Sequence, residues 1–558
     1  MTTPTRIALA VTLALCAAAP ASRAHDAEAA QGKPPEKLGQ VSFAVSCNAA
    51  AQQEFNRAMA LFHSFWFDPA KQSFAKVLEL DPACGMAHWG TSIMAMGNPF
   101  TWPSNPNVSK TGAPSAAEAE RVGAKTERER DYIVALATFF KDWQNTDFRP
   151  RAVAYEKAME GLAAKHPTDM EAQILYALAL NITALPADKS FANQMKAAKI
   201  LEPLFTKYPN HPGVAHYLIH NYDYAELAAK GLSSARAYGA IAPSVPHALH
   251  MPSHIYSRVG QWREVVEGNR ASYLAAKAEL KDGATPGVGA YDALHAMDYM
   301  VFGHLQQGQD KAAKALLDEA LALRKVNVEN FVAAYAFAAM PSRYALERGD
   351  WQQAAALKLS PPDLAWAKFP QSEAILVFAR GLGAARSGDA AAARTDDAAA
   401  ARTDVKRLEA LKEALVTGKN AYWAGQTDFQ ITTVNAWIAL AEKRGDEAVK
   451  LMRAAAEAEE ASDKHPVTPG NVVPSRELLG EMLLELDHPA RARAEFDRSL
   501  ERDPNRFRGL VGAARAAEAA GDRTAMREYY GRLQALAAQH DTERPELVRA
   551  RKLLAAAR

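Results

Sequence analysis

Histidine is the residue type whose spacing raises a chemical question here. Three of the chain's fifteen histidines fall within eight residues, His247, His250 and His254 of HALHMPSH, and His216 and His220 lie upstream in HYLIH. His216/His220 and His250/His254 are both i,i+4 pairs, so each pair projects from one face of a helix. The two pairs repeat at an interval of 34 residues, His216 to His250 and His220 to His254. A further His295-Ala-Met-Asp298 follows. Imidazoles converging from helix faces form a nitrogen-rich donor set, which suits copper, zinc or iron, whereas calcium and magnesium take oxygen shells. The candidate ligand set is therefore His216, His220, His250, His254, His295 and Asp298, binding one or two ions.

Around this set stand polar residues able to support it. His247, Tyr222, Asp223 and Tyr299 are candidates for orienting ligands, touching substrate or moving protons. Arg258 and Arg343 can bind an anion bidentately or form a structural ion pair. Met340-Pro-Ser-Arg343 parallels Met251-Pro-Ser-His254, with Gly349 matching Gly260, so arginine takes the place of histidine in a later unit. Two readings compete with a metal. The histidines can serve a polar substrate groove, or bond structurally to Tyr217, Tyr222 or Tyr256 across a helix seam. Pro252 should kink or restart its helix between His250 and His254. His63 can face the same side, His88 beside Trp89 reads as packing, and His211 and His304 read as terminal or surface residues.

The elements that must position these residues are helices. Beyond residue 48, helix-like segments alternate with short punctuated turns, and strand-like alternation is scarce. Leu479-Gly480, Ala492, Phe496, Ser499 and Asp503-Pro504 have the spacing of a helix hairpin in which Gly480 permits close contact, Phe496 fills the seam and Pro504 stops the second helix. Similar endings recur at Asp81-Pro82, His166-Pro167, Tyr208-Pro209 and Ala242-Pro243. The hairpin resembles the tetratricopeptide repeat, and the chain as a whole resembles exported bacterial tetratricopeptide-repeat proteins over most of residues 48 to 535. The resemblance implies an all-α, right-handed α-solenoid of stacked hairpins with irregular insertions. It also implies that the 34-residue interval is one repeat, and that both histidine pairs, His247, His295, Asp298 and Arg343 look into a concave groove. Such a groove would take a small molecule or a peptide. The ordinary peptide-binding groove of that family favours asparagine, lysine and arginine, so a histidine ladder departs from it.

Length and composition bound the rest. The chain has 558 residues, 49% of them hydrophobic and 23% charged, with a net charge of +1, which describes a folded chain without the field that would draw nucleic acid or an anionic membrane. Residues 1–24 read as a signal peptide, with Arg6, the apolar run from Ile7 to Ala18 and small residues at Ser22 and Ala24; no stable membrane insertion is expected. Cys16 lies in a weak lipidation context. Export implies a periplasmic or secreted location, where Cys47 and Cys84, one repeat apart, can pair as a disulfide or stay as two buried thiols. Residues 25–47 read as an N-terminal extension, 48–365 as a lobe carrying the histidines and 366–558 as a second lobe. Asn98 to Ser115, with Trp102 as a peg or lid, reads as a long loop. Pro466 to Pro474 reads as an ordered loop. No HExxH, CxxC, GxxxxGK[ST], GxSxG or dinucleotide-glycine pattern occurs. The functional expectation is an exported metal-binding solenoid acting as oxidoreductase or hydrolase, against a peptide-binding adaptor or a metal carrier; oligomeric state stays open.

Overall fold

The computed structural model describes residues 36–101, 108–280, 287–387 and 393–556. Residues 37–558 form one compact unit; of residues 1–36 only Glu36 is described. The 1–24 segment with Cys16, and Trp102, lie outside the described residues. Almost all of the compact unit is helical, built from helix hairpins packed against their neighbours in sequence. The only strands among the described residues are Val288–Gly289 and Lys325–Val326, a short parallel pair.

The local chemistry explains where helices begin and how closely they approach. Asn48 caps the helix Ala49–His63 by accepting the Ala51 N–H. Pro212 and Pro246 each open a helix at its first position, where the missing donor costs nothing. Phe496 fills a seam between helices, and a Cβ on Gly480 or Gly512 would lie only 2.7 or 2.2 Å from its ring. Phe74 against Gly90, also at 2.2 Å, uses the same device near the start of the unit. Cys47 and Cys84 form a disulfide joining the segments that precede the Ala49–His63 and Gly85–Ala95 helices. Asn98 to Ser115 is not one long loop: Pro99–Thr101 is a short 3-10 turn, and a helix runs over Val108–Val122.

Two apolar clusters make up most of the core. One runs from Leu38 to Val265 and also takes Tyr299 and Phe302. The other runs from Leu294 to Ala550. They meet on the helix Tyr291–Gln306, whose faces serve both. That helix also carries His295 and Tyr299.

Proline acts differently in the two Met-Pro-Ser segments. Pro252 divides the chain into helices Pro246–His250 and Pro252–Arg258, joined through Met251. Across the joint the Met251 N–H still donates to His247 O at 2.9 Å, and the His254 N–H donates to Met251 O at 3.1 Å, so the direction is kept while the register tightens. Pro341 instead sits inside an unbroken helix, Phe331–Leu346.

A double histidine triad

Six imidazoles converge in two adjoining groups of three, His216/His220/His247 and His250/His254/His295. In each group one ligand atom per residue lies within 4.8 Å of the others. The groups share a border, with ring centroids 6.2 Å apart for His220 and His254 and 6.1 Å for His247 and His250. His216, His220, His250 and His254 are buried, while His247 and His295 are half-buried. Burial pushes all six below the ordinary histidine value; neighbouring imidazoles add to the effect in five, and in His254 Lys464 and Arg258 add to it while Asp223 opposes it. They are neutral at neutral pH.

In three of the six, the partner of Nδ1 reveals which nitrogen holds the proton. His216 Nδ1 faces the His63 carbonyl at 2.7 Å. His250 Nδ1 faces Asn269 Oδ1 at 2.7 Å, an amide whose Nδ2 is committed to Val265 O. His254 Nδ1 faces Asp223 Oδ2 at 3.0 Å. Each of these oxygens only accepts, so each Nδ1 carries the hydrogen and each Nε2 presents a lone pair. Yet His250 Nε2 and His254 Nε2 lie 3.0 Å apart. In the first group, His220 Nε2 and His247 Nε2 approach His216 Nε2 at 3.1 and 3.3 Å. Histidines that ligate a metal through one nitrogen are typically held by an oxygen at the other.

Aromatic walls hold the rings in place. His216 stacks on Tyr238 at 5.1 Å and meets the edge of Phe65 at 4.4 Å; His220 stacks on Phe100 at 3.8 Å. Tyr299 meets His250 edge-on at 4.6 Å. Asp223 stands behind His254 and also accepts from Arg258 Nε at 3.0 Å and Lys464 Nζ at 2.6 Å. Those two cations hold its carboxylate far below the ordinary range despite burial, and burial brings the Lys464 ammonium down to about 8.

Lys464 arrives on the segment between the helices Gly445–Ala461 and Ser475–Glu485, here termed the cover, which reaches the site through Asp223 and, at Val467 O, Tyr299. Arg343 grips this cover through Gly470 O at 2.6 Å and Asn471 O at 2.8 Å, while its Nε bonds Asp298 at 3.2 Å. Asp298 is thus paired with arginine and stands outside both histidine groups. Tyr222 also points elsewhere, donating to Glu202 at 2.6 Å. Arg258 and Arg343 are engaged in buried ion pairs.

A third group, His63, Glu171 and His211, differs in kind. His211 is buried, not at the surface, and its Nε2 meets Glu171 Oε1 at 3.0 Å; His63 Nε2 meets Glu171 Oε2 at 3.0 Å, and its Nδ1 meets the Tyr217 hydroxyl at 2.9 Å. The chain Tyr217 to His63 to Glu171 is hydrogen-bonded throughout, whereas His211 Nδ1 is buried without a hydrogen-bond partner among the described residues. It anchors His63, whose carbonyl fixes His216. Sequence spacing gave no sign of Glu171 or Lys464, since neither belongs to the 34-residue ladder.

No protein-family model matches the chain, and no curated protein matches it. Among solved structures, it is similar to the human IFIT1 dimer with PPP-AAAA (12% identity, 81% of this chain and 91% of that one, TM-score 0.32). It is also similar to the human IFIT1 dimer with m7Gppp-AAAA (13% identity, 81% and 90%, TM-score 0.33). Yeast Tom70 matches at 11% identity over 91% of this chain and 96% of its own, with a TM-score of 0.31. These are weak likenesses among helical proteins, and no function is carried over from them.

Proposed function

We propose that this chain is an oxidoreductase on a right-handed, tetratricopeptide-like solenoid, holding two copper ions side by side through His216, His220 and His247 and through His250, His254 and His295. In this reading residues 48–365 form the metal-bearing lobe and 366–558 the lobe that covers it. One observation carries the proposal: two buried nitrogen lone pairs, on His250 and His254, aim at each other across 3.0 Å. Such a pair repels unless a cation lies between, and burial resists a proton there by bringing His250 down to about 3.

Charge selects the metal. The donor set is all imidazole, which copper, zinc and iron accept. The flank of Asp223, Arg258 and Lys464 sums to one positive charge in a buried setting, so each added positive charge is expensive. Two monovalent ions add half the charge of two divalent ones, and copper is the metal of the three with a stable monovalent state. A copper pair can exchange two electrons with dioxygen and a small-molecule substrate. The protein's own part is to fix the rings of His216, His250 and His254 through His63 O, Asn269 and Asp223 and to limit bulk water with the 462–474 cover. That cover, locked by Arg343 and Lys464, favours a retained centre over a carrier that must release its ion. The Cys47–Cys84 disulfide supports an oxidising, extracytoplasmic location.

Elemental analysis of untagged protein, reconstituted with copper, zinc or iron in turn, tests this reading. About two equivalents of copper in the wild type and fewer than one in a folded His220→Ala/His254→Ala variant are expected. Anaerobically reduced, copper-loaded protein should consume dioxygen. A well-folded wild type that takes up none of the three metals refutes the proposal.

A further inference from the structure

Resting on that reading, we propose that Tyr299 is the fourth ligand of the ion held by His250, His254 and His295, bound as a phenolate, so that the two metal positions differ in donor set. The sequence ladder itself points there. His216/His220 and His250/His254 are i,i+4 pairs, and the next rung, His295/Tyr299, has the same spacing with tyrosine in the second place. All three rungs converge: the Tyr299 ring lies 4.6 Å from that of His250 and 5.4 Å from those of His254 and His295.

The hydroxyl is placed as a ligand would be. Tyr299 is fully buried, and its oxygen lies 3.4 Å from both His254 Nε2 and Val467 O. Both separations exceed the usual 2.7–2.8 Å of an O–H hydrogen bond, so the buried phenol makes only long hydrogen bonds. Two donors each about 2.0–2.1 Å from a tetrahedral ion lie roughly 3.3–3.4 Å apart, which is the spacing of Tyr299 Oη and His254 Nε2. On binding, the O–H bond breaks, its proton passes to solvent and the oxygen lone pair binds the ion; no electron is transferred. The phenolate also brings a negative charge to a flank that otherwise sums to a positive one.

The test loads the wild type and Tyr299→Phe with copper(II) and records metal content, visible absorption and resonance Raman spectra. The wild type should show an intense phenolate-to-copper charge-transfer band, with phenolate ring modes enhanced on excitation into it. Tyr299→Phe should retain about two equivalents of copper and lose the band. Copper bound without such a band, or a band unchanged in Tyr299→Phe, overturns the tyrosine assignment and leaves the histidine centre standing. A wild type that binds no copper overturns both. Should Tyr299→Phe fail to fold, the Raman spectrum of the wild type decides alone.

Discussion

Replacing Asp223 by asparagine should weaken both the apoprotein and its metal binding. The carboxylate accepts from His254 Nδ1, Arg258 Nε and Lys464 Nζ, and all four side chains are no more than 7% exposed. The isosteric amide keeps one acceptor but turns an NH2 toward the donors, leaving Arg258 its bond to the residue's backbone carbonyl, and it removes the only negative charge in the group. Breaking a buried pair by removing one partner costs about 3–5 kcal/mol. Lys464, already brought down to about 8, can shed its proton once the carboxylate is gone, so the lower end, about 3 kcal/mol, is expected. Loss of the oxygen behind a ligating histidine should in addition weaken metal binding about 10- to 100-fold. Denaturant unfolding of the metal-free protein gives the first quantity, and competition with a chelator of known affinity gives the second. Asp223→Asn with stability within about 1 kcal/mol of wild type and unchanged copper affinity would refute the role assigned to this carboxylate.

Two further outcomes follow from neighbouring features. The Lys464 ammonium is about 8 in the folded protein against its ordinary 10.5, so between those values the unfolded chain binds a proton that the folded one has released. Stability from this group therefore rises as pH climbs from about 8 to about 10.5, by about 3 kcal/mol, and is flat below that window; denaturation of wild type against Lys464→Met across pH 7 to 10 should show the slope in the wild type only. Gly213→Ala would put a Cβ 2.5 Å from His63 Nδ1, forcing apart the helix that bears His216 and the residue whose carbonyl orients it. A stability loss of about 1–3 kcal/mol with weakened copper binding is expected by the same two assays, and a variant indistinguishable from wild type would separate His63 from the centre.

The ladder was legible because stacked hairpins repeat in sequence at the interval at which they repeat in space. Pro212 and Pro246 begin equivalent helices, so residues 34 apart arrive side by side. The helical class was legible for the same reason, and so was the division of the helix at Pro252. Local spacing misleads where a charge finds a distant partner. Asp298 lies one turn beyond His295 and reads as a ligand, but it stands outside both histidine groups, and its Oδ1 accepts from Arg343, 45 residues on. Tyr222 neighbours the ladder, yet the preceding helix offers Glu202. His211 reads as a terminal or surface residue, and only the fold reveals that Glu171 lies beside it. Lys464 contacts Asp223 across 241 residues of chain, a pairing that no periodicity announces.

The 462–474 segment, which holds Asp223 and Arg343 from the far end of the chain, also sets an order of events during synthesis. All six imidazoles lie between residues 216 and 295, whereas Lys464, Gly470 and Asn471 are made much later. A growing chain folds its early hairpins first, so the donors are assembled while that segment is still being translated. If the six imidazoles bind ions as proposed, the nascent protein would pass through a stage in which they exchange ions with the surroundings, and synthesis of the segment bearing Lys464, Gly470 and Asn471 would end that stage. Metal identity would then be decided by what is present before closure as well as by intrinsic affinity.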